Sequence, residues 1–153
     1  MQKLQNSRRM IWNYGKIAEN GSVGDATTGQ TCLLYRICEH KFENYNKDYE
    51  FNGKRIMLRI SDIAGEEAYE SFRHLQYPDT DVVLICFSLV SHSHSSYNNV
   101  RKVWYPEMQK HCPNAPIILV GAKQDLKEDE RAIQPITRSQ GIEIAKKIGA
   151  VKY

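Results

Sequence analysis

Apolar residues fall along this chain in three kinds of pattern. Residues 82–89 (VVLICFSL) and 116–120 (PIILV) are unbroken apolar runs of strand length, as expected of parallel strands covered on both faces. Residues 55–62 (RIMLRISD) alternate instead, with Ile56, Leu58 and Ile60 on one side and Met57, Arg59 and Ser61 on the other. That alternation predicts a half-buried strand ending in Asp62. Helical spacing recurs at Leu33, Leu34, Ile37 and Cys38, then at Tyr97, Val100, Val103, Trp104 and Met108 within 95–111, and at Ile142, Ile144, Ala145 and Ile148 within 139–148. Asn52-Gly53 is a hairpin signal that puts an edge strand around Tyr49 and Phe51, with residues 40–49 as a polar, exposed loop leading into it. Strands alternating with helices predict an α/β fold: an open, doubly wound, mostly parallel sheet with helices on both faces.

Residues 1–22 read as an N-terminal extension with a poorly defined first strand, because only Lys16, Ile17 and Val23 suggest a strand and Glu19-Asn20-Gly21-Ser22 is turn chemistry. Residues 23–153 read as one folded domain, which is all that 153 residues accommodate. Residues 127–134 (KEDERAIQ) form a charged surface loop. A composition of 41% apolar and 25% charged residues is that of an ordinary soluble globular protein. The net charge of +3, from 21 basic and 18 acidic residues, is too small and scattered to point to nucleic acid. Arg8-Arg9 and Lys146-Lys147 read as solvated faces. Cys32, Cys38, Cys86 and Cys112 form no C-x-x-C pair, and three sit in apolar runs, so they read as reduced thiols of a cytoplasmic protein. The longest apolar run falls far short of the ~20 residues of a membrane span, and no signal peptide or C-terminal lipidation box is expected.

Three short motifs carry candidate chemistry, each predicted at the C-terminal end of a strand. In residues 23–34 (VGDATTGQTCLL), Gly24, Gly29 and Thr31 fit the phosphate-loop frame G-x-x-x-x-G-K-[ST], with Gln30 in place of the lysine. The loop opens a helix whose N-terminus would face phosphates. Asp62-Ile63-Ala64-Gly65 is a D-x-x-G whose aspartate, with Thr31, would flank one magnesium ion and whose glycine would meet a terminal phosphate. In Lys123-Gln124-Asp125, the aspartate can accept two hydrogen bonds from guanine while the lysine stem packs over the base. Five histidines, at 40, 74, 92, 94 and 111, make no ligand spacing, and His92-x-His94 reads as a helix-capping loop. Trp104 and Tyr105 read as helix packing, and Phe72 and Leu75 as either an effector surface or a buried face.

With these motifs in order, the chain resembles the Ras-like small GTPases and, within them, the Rho group. The most specific resemblance is residues 69–91 (YESFRHLQYPDTDVVLICFSLVS), similar to the Rho pattern of switch II, its helix and the next strand. Lys102-Val103-Trp104-Tyr105-Pro106-Glu107, Cys112-Pro113, VGAKQDL, Pro135-Ile136-Thr137 and the final AVKY fall in the same register, over roughly residues 23–153. The resemblance implies a P-loop fold and a switch that binds GTP or GDP with Mg2+. Gly24, Asp25, Ala26, Thr27, Thr28, Gly29, Gln30, Thr31 and Cys32 would surround the phosphates, Thr31 and Asp62 the metal, Gly65 the terminal phosphate, and Lys123 and Asp125 the guanine. Effectors, exchange factors and GTPase-activating proteins would read the loops near 42–46 and 65–75. Membrane association would come only through a lipid anchor not present in this chain.

The departures from the family pattern bear on mechanism. Gln30 offers neutral donors where the family has a cation, so weaker nucleotide binding is expected. Ala26 stands for a glycine near the γ phosphate, and Glu66 for the glutamine that orients the attacking water, so hydrolysis is expected to be slow or absent, as in the Rnd-like branch. Switch I is incomplete before Phe42, the Rho insert is short or missing between Leu126 and Pro135, and Tyr153 precedes the usual base loop and last helix. The expectation is therefore a truncated chain or joined segments, with junctions near 21–23 and 41–42. A pseudo-GTPase interaction module and an ATP-using P-loop enzyme are the alternatives.

Overall fold

The strongest sequence patterns become the strands of one five-stranded sheet. A computed structural model of the chain describes residues 16–38, 45–90, 95–128 and 134–153. The strands are β1 (Lys16–Gly24), β2 (Tyr45–Phe51), β3 (Lys54–Asp62), β4 (Val82–Ser88) and β5 (Ile117–Ala122), in the order β2-β3-β1-β4-β5. β1 runs parallel to β3 and β4, and β4 parallel to β5; β2 alone is antiparallel, at the edge. The β2–β3 hairpin closes on Phe51 and Lys54, with Asn52 and Gly53 both at positive φ, as the dipeptide predicts.

The helices are α1 (Gln30–Ile37), α2 (Glu70–Arg73), α3 (Ser95–Asn99), α4 (Tyr105–His111) and α5 (Arg138–Lys147). α2 is flanked by the 3-10 turns Glu67–Tyr69 and His74–Gln76. The predicted helix over 95–111 is a continuous path from α3 to α4 through a π-helical stretch, Val100–Trp104. Pro106 follows directly and has no N–H for the Lys102 carbonyl, which accounts for a widened turn at this place. α5 begins with a capping box in which Thr137 and Gln140 satisfy each other's backbone amides.

The main core lies on one face of the sheet. Val83, Ile85 and Phe87 of β4 with Ile117 and Leu119 of β5 pack against Val100, Trp104, Met108, Ile144 and Ile148. On the other face α1 lies over β1 and β3, where Leu34, Cys38 and Ile60 form a smaller buried cluster. Leu58 and Leu84 on that side, and Ile118 and Val120 of β5, are only half-buried. Cys38, Cys86 and Cys112 are buried and Cys32 is exposed, and all are free thiols. Among the described residues no helix is long and apolar enough to cross a membrane.

Two expectations need correction. Residues 19–22, read as a turn, lie inside β1, which starts at Lys16 and runs through 21–23 in unbroken register. As the central strand, β1 is hydrogen-bonded on both sides, and ladder pairing overrides the turn preference of Asn20-Gly21-Ser22. Tyr45 to Tyr49, read as loop, are part of β2. The expectations for residues 1–15, His40, the junction at 41–42, the first part of switch I, His92 and His94, and most of the 127–134 loop lie outside the described residues.

Candidate functional site

The C-terminal ends of β1, β3 and β5 open onto one cleft, the position where ligands of open α/β sheets bind. The cleft has a volume of about 520 Å³ and is lined by residues 24–32, 62–66 and Lys123. Thr27 (φ 64°) and Gly29 (φ 98°) adopt left-handed conformations, the kind from which backbone nests are built, and glycine makes the second of these strain-free. Thr28 N is the only amide from Ala26 to Thr31 with a backbone acceptor among the described residues, at 3.3 Å from the Asp25 carbonyl. Together with the first amides of α1, the rest form a nest for an anion.

Gln30 is buried, and its side-chain amide is committed within the protein. Its Nε2 donates to the Ser22 carbonyl at 2.9 Å, to Asp62 Oδ1 at 2.7 Å and to the Ile63 carbonyl at 3.2 Å. An amide nitrogen has two hydrogens, so three acceptors saturate it and leave nothing for a phosphate. The side chain thus ties the loop to the end of β3. Thr31 Oγ1 donates to the other carboxylate oxygen of Asp62 at 2.7 Å, so the fold brings together the two residues expected at a cation. No group of three or more His, Cys, Asp or Glu side chains that could hold a metal ion occurs among the described residues. A cation here would draw its remaining oxygens from phosphate and water.

Gly65 packs directly on the loop. A Cβ at this position would overlap the Gly24 carbonyl oxygen and lie 3.0 Å from Ala26 N, so only glycine allows D-x-x-G to close against the nest. Glu66 follows at the exposed rim, as does Ala26 on the loop itself. Lys123 takes φ 62° and lays its stem along Gly29, with Cγ 3.7 Å from the position a Gly29 Cβ would take. Asp125 lies in the exposed 3-10 turn Gln124–Glu128, outside the cleft lining. Cys32 lines the cleft from the first turn of α1.

Asp25 has a second set of partners. Its carboxylate accepts from Trp104 Nε1 at 2.7 Å and from Asn99 Nδ2 at 2.8 Å, which fastens the loop to the α3–α4 helix. Trp104 is therefore core packing, as expected, with its N–H committed to the loop. Arg73, only 3% exposed, stacks on the Trp104 ring at 5.0 Å, donates from Nε and Nη2 to Glu107 at 3.1 and 3.0 Å, and donates from Nη1 to the Glu66 carbonyl at 3.0 Å. Tyr77 donates its hydroxyl to Glu107 as well. The hydrogen bond to Glu107 raises the Arg73 pKa further, and burial followed by Glu107 pushes the Tyr77 phenol up. Burial alone would raise the Glu107 carboxyl; hydrogen bonds from Arg73 and Tyr77 outweigh it and hold the group below the usual carboxylate range. Apart from Arg73 and Glu66, which are seven positions apart, these partners are 30 to 79 positions apart in the chain, and the only sequence signal for them is the likeness of residues 69–91 and 102–107 to a known pattern. Phe72 and Leu75, left open between two roles, are 62% and 66% exposed.

Thr28 carries the one buried side-chain polar atom without a partner among the described residues, its Oγ1. An unsatisfied buried hydroxyl costs about 1–3 kcal/mol, so Thr28→Val, which keeps the shape, is expected to stabilise the fold by about 1 kcal/mol. Thermal unfolding would show it as a rise of roughly 2–4 °C, and a fall would mean the hydroxyl has a partner in solution.

The backbone nest, the Thr31–Asp62 pair and the Lys123 stem suit a nucleotide bound by its phosphates, and the fit lacks a cationic side chain from the loop. A family model described as Ras family matches residues 22–153, from within β1 to Tyr153, and the chain belongs to the Ras family of small GTPases.

Proposed function

We propose that this chain is a Rho-type guanine-nucleotide switch that holds phosphate chiefly through backbone amides and hydrolyses GTP slowly or not at all. Ras-family GTPases generally bind GTP or GDP with Mg2+ and interact with effectors, exchange factors and GTPase-activating proteins. The observation that carries the proposal is the run of loop amides without backbone acceptors in the same cleft as the Thr31–Asp62 pair. Bound Mg2+ would neutralise phosphate charge, a role that Gln30 does not take over. Lys123 would cover the base, with Asp125 reaching the guanine edge from its exposed turn. Glu66 at the rim adds negative charge where a neutral amide would orient water, and the Ala26 methyl crowds the same end, which supports slow turnover. Signalling to the cytoskeleton or membrane traffic, from the cytoplasm or a lipid-anchored position, follows the resemblance to Rho proteins.

Nucleotide-stripped protein titrated with fluorescent GDP and GTP is expected to show saturable, Mg2+-dependent binding, with competition by GTP and not by ATP. Competition by ATP alone would indicate an ATP-using enzyme. No saturable binding at tens of micromolar would establish instead the second reading, a pseudo-GTPase interaction module. That reading is favoured by one observation, the full engagement of the Gln30 amide inside the protein.

A further inference from the structure

Asp25 and the segment 66–76 do not touch in the interactions described above, yet both hold the same indole ring from different sides. Trp104 Nε1 donates to Asp25 at 2.7 Å while the Arg73 guanidinium lies over the ring face at 5.0 Å. Arg73 in turn carries the Glu66 carbonyl on Nη1 and is fixed from the other side by Glu107. We propose that Asp25 is a positioning residue that couples the phosphate loop to segment 66–76 through Trp104 and Arg73.

The π-helical stretch is what makes the coupling geometry possible. In an α-helix, residues five apart such as Asn99 and Trp104 point roughly 140° away from each other, given about 3.6 residues per turn. The i→i+5 repeat of a π turn sets them one above the other, so both donors reach the two oxygens of one carboxylate. Trp104 and Arg73 are 1% and 3% exposed, and packed side chains at this density move together or not at all. A displacement of the loop at Asp25 therefore shifts the indole under the guanidinium and, through Arg73, the Glu66 backbone. Phe72 and Leu75 stand on the exposed side of the same segment, so the coupling sets how that apolar face is presented. The regulatory sense of the coupling rests on the proposed nucleotide switch; the mechanical link does not.

Hydrogen–deuterium exchange on the full chain without nucleotide separates the link from mere tethering of the loop. Asp25→Asn, which keeps the shape and one acceptor, is expected to speed exchange over residues 66–76 by about 2- to 30-fold, the range of couplings found along such networks, and Asp25→Ala to speed it more. Combining Asp25→Ala with Arg73→Lys should give less than the product of the single effects. Faster exchange confined to residues 24–30 would overturn the proposal. Should the Asp25 variants fail to fold, Asn99→Ala removes one donor and leaves Trp104 in place. Faster exchange at 66–76 in that variant supports the coupling, and unchanged exchange there overturns it. Failure of the nucleotide titration would remove the switch and leave the exchange result readable.

Discussion

Replacing Gln30 by lysine is expected to tighten guanine-nucleotide binding by about 5- to 30-fold. A new hydrogen bond to a charged group contributes about 1.5–3 kcal/mol net, giving up one neutral internal contact costs about 0.5–1.5, and the difference of roughly 1–2 kcal/mol converts to that ratio. Lysine has three hydrogens on Nζ, so it can keep two of these contacts, to Asp62 and one carbonyl, and turn the third hydrogen with its charge toward the phosphates. The gain should be larger for GTP than for GMP, because the added charge acts on the outer phosphates. Gln30→Met is the control. It fills the space without donors, leaves Asp62 held by Thr31 alone, and is expected to lose stability without gaining affinity. Calorimetric titration of both variants decides the matter, and unchanged or weaker binding by Gln30→Lys would mean that a charge at this position stays on Asp62 and does not reach phosphate.

Glu107→Ala is expected to be the most damaging single change to stability. It strips the carboxylate from an Arg73 that is 3% exposed, and leaving one member of a buried pair uncompensated costs about 3–5 kcal/mol. For a chain of this length that lowers the melting temperature by roughly 6–20 °C. The pair also sets an acid limit. Glu107 is held below its ordinary pKa in the fold, so its contribution is fully present above the unfolded-state value of ~4.3 and is lost as pH falls through the lower folded-state value. Urea unfolding measured from pH 7 downward should therefore show the gap between wild type and Glu107→Gln narrowing below about pH 4. A constant gap would place the stabilisation in shape rather than charge.

How much of this was legible in the chain depends on the range of the interaction concerned. The continuous runs that became β4 and β5 announce themselves because a strand covered on both faces must be apolar at successive positions. The Asn52-Gly53 turn and the phosphate-loop frame are equally local, since each needs particular residues at adjacent positions for backbone reasons. β1 was obscured because the stability of a central strand comes from its two neighbours, which the residues Glu19-Asn20-Gly21-Ser22 do not advertise. The spacing of Tyr97 to Met108 predicted a helix without revealing its π turn, and hence without revealing that Asn99 and Trp104 share a carboxylate.

By itself the amino-acid sequence determined the α/β class, the order of the motifs and the absence of a loop lysine, because periodicity and short-range backbone demands are written in adjacent residues. Where Gln30, Asp25 and Arg73 direct their polar groups was decided only by the tertiary structure. A side chain's partner is whichever buried acceptor or donor the fold brings within hydrogen-bond reach, and here those partners come from strands and helices up to 79 residues away.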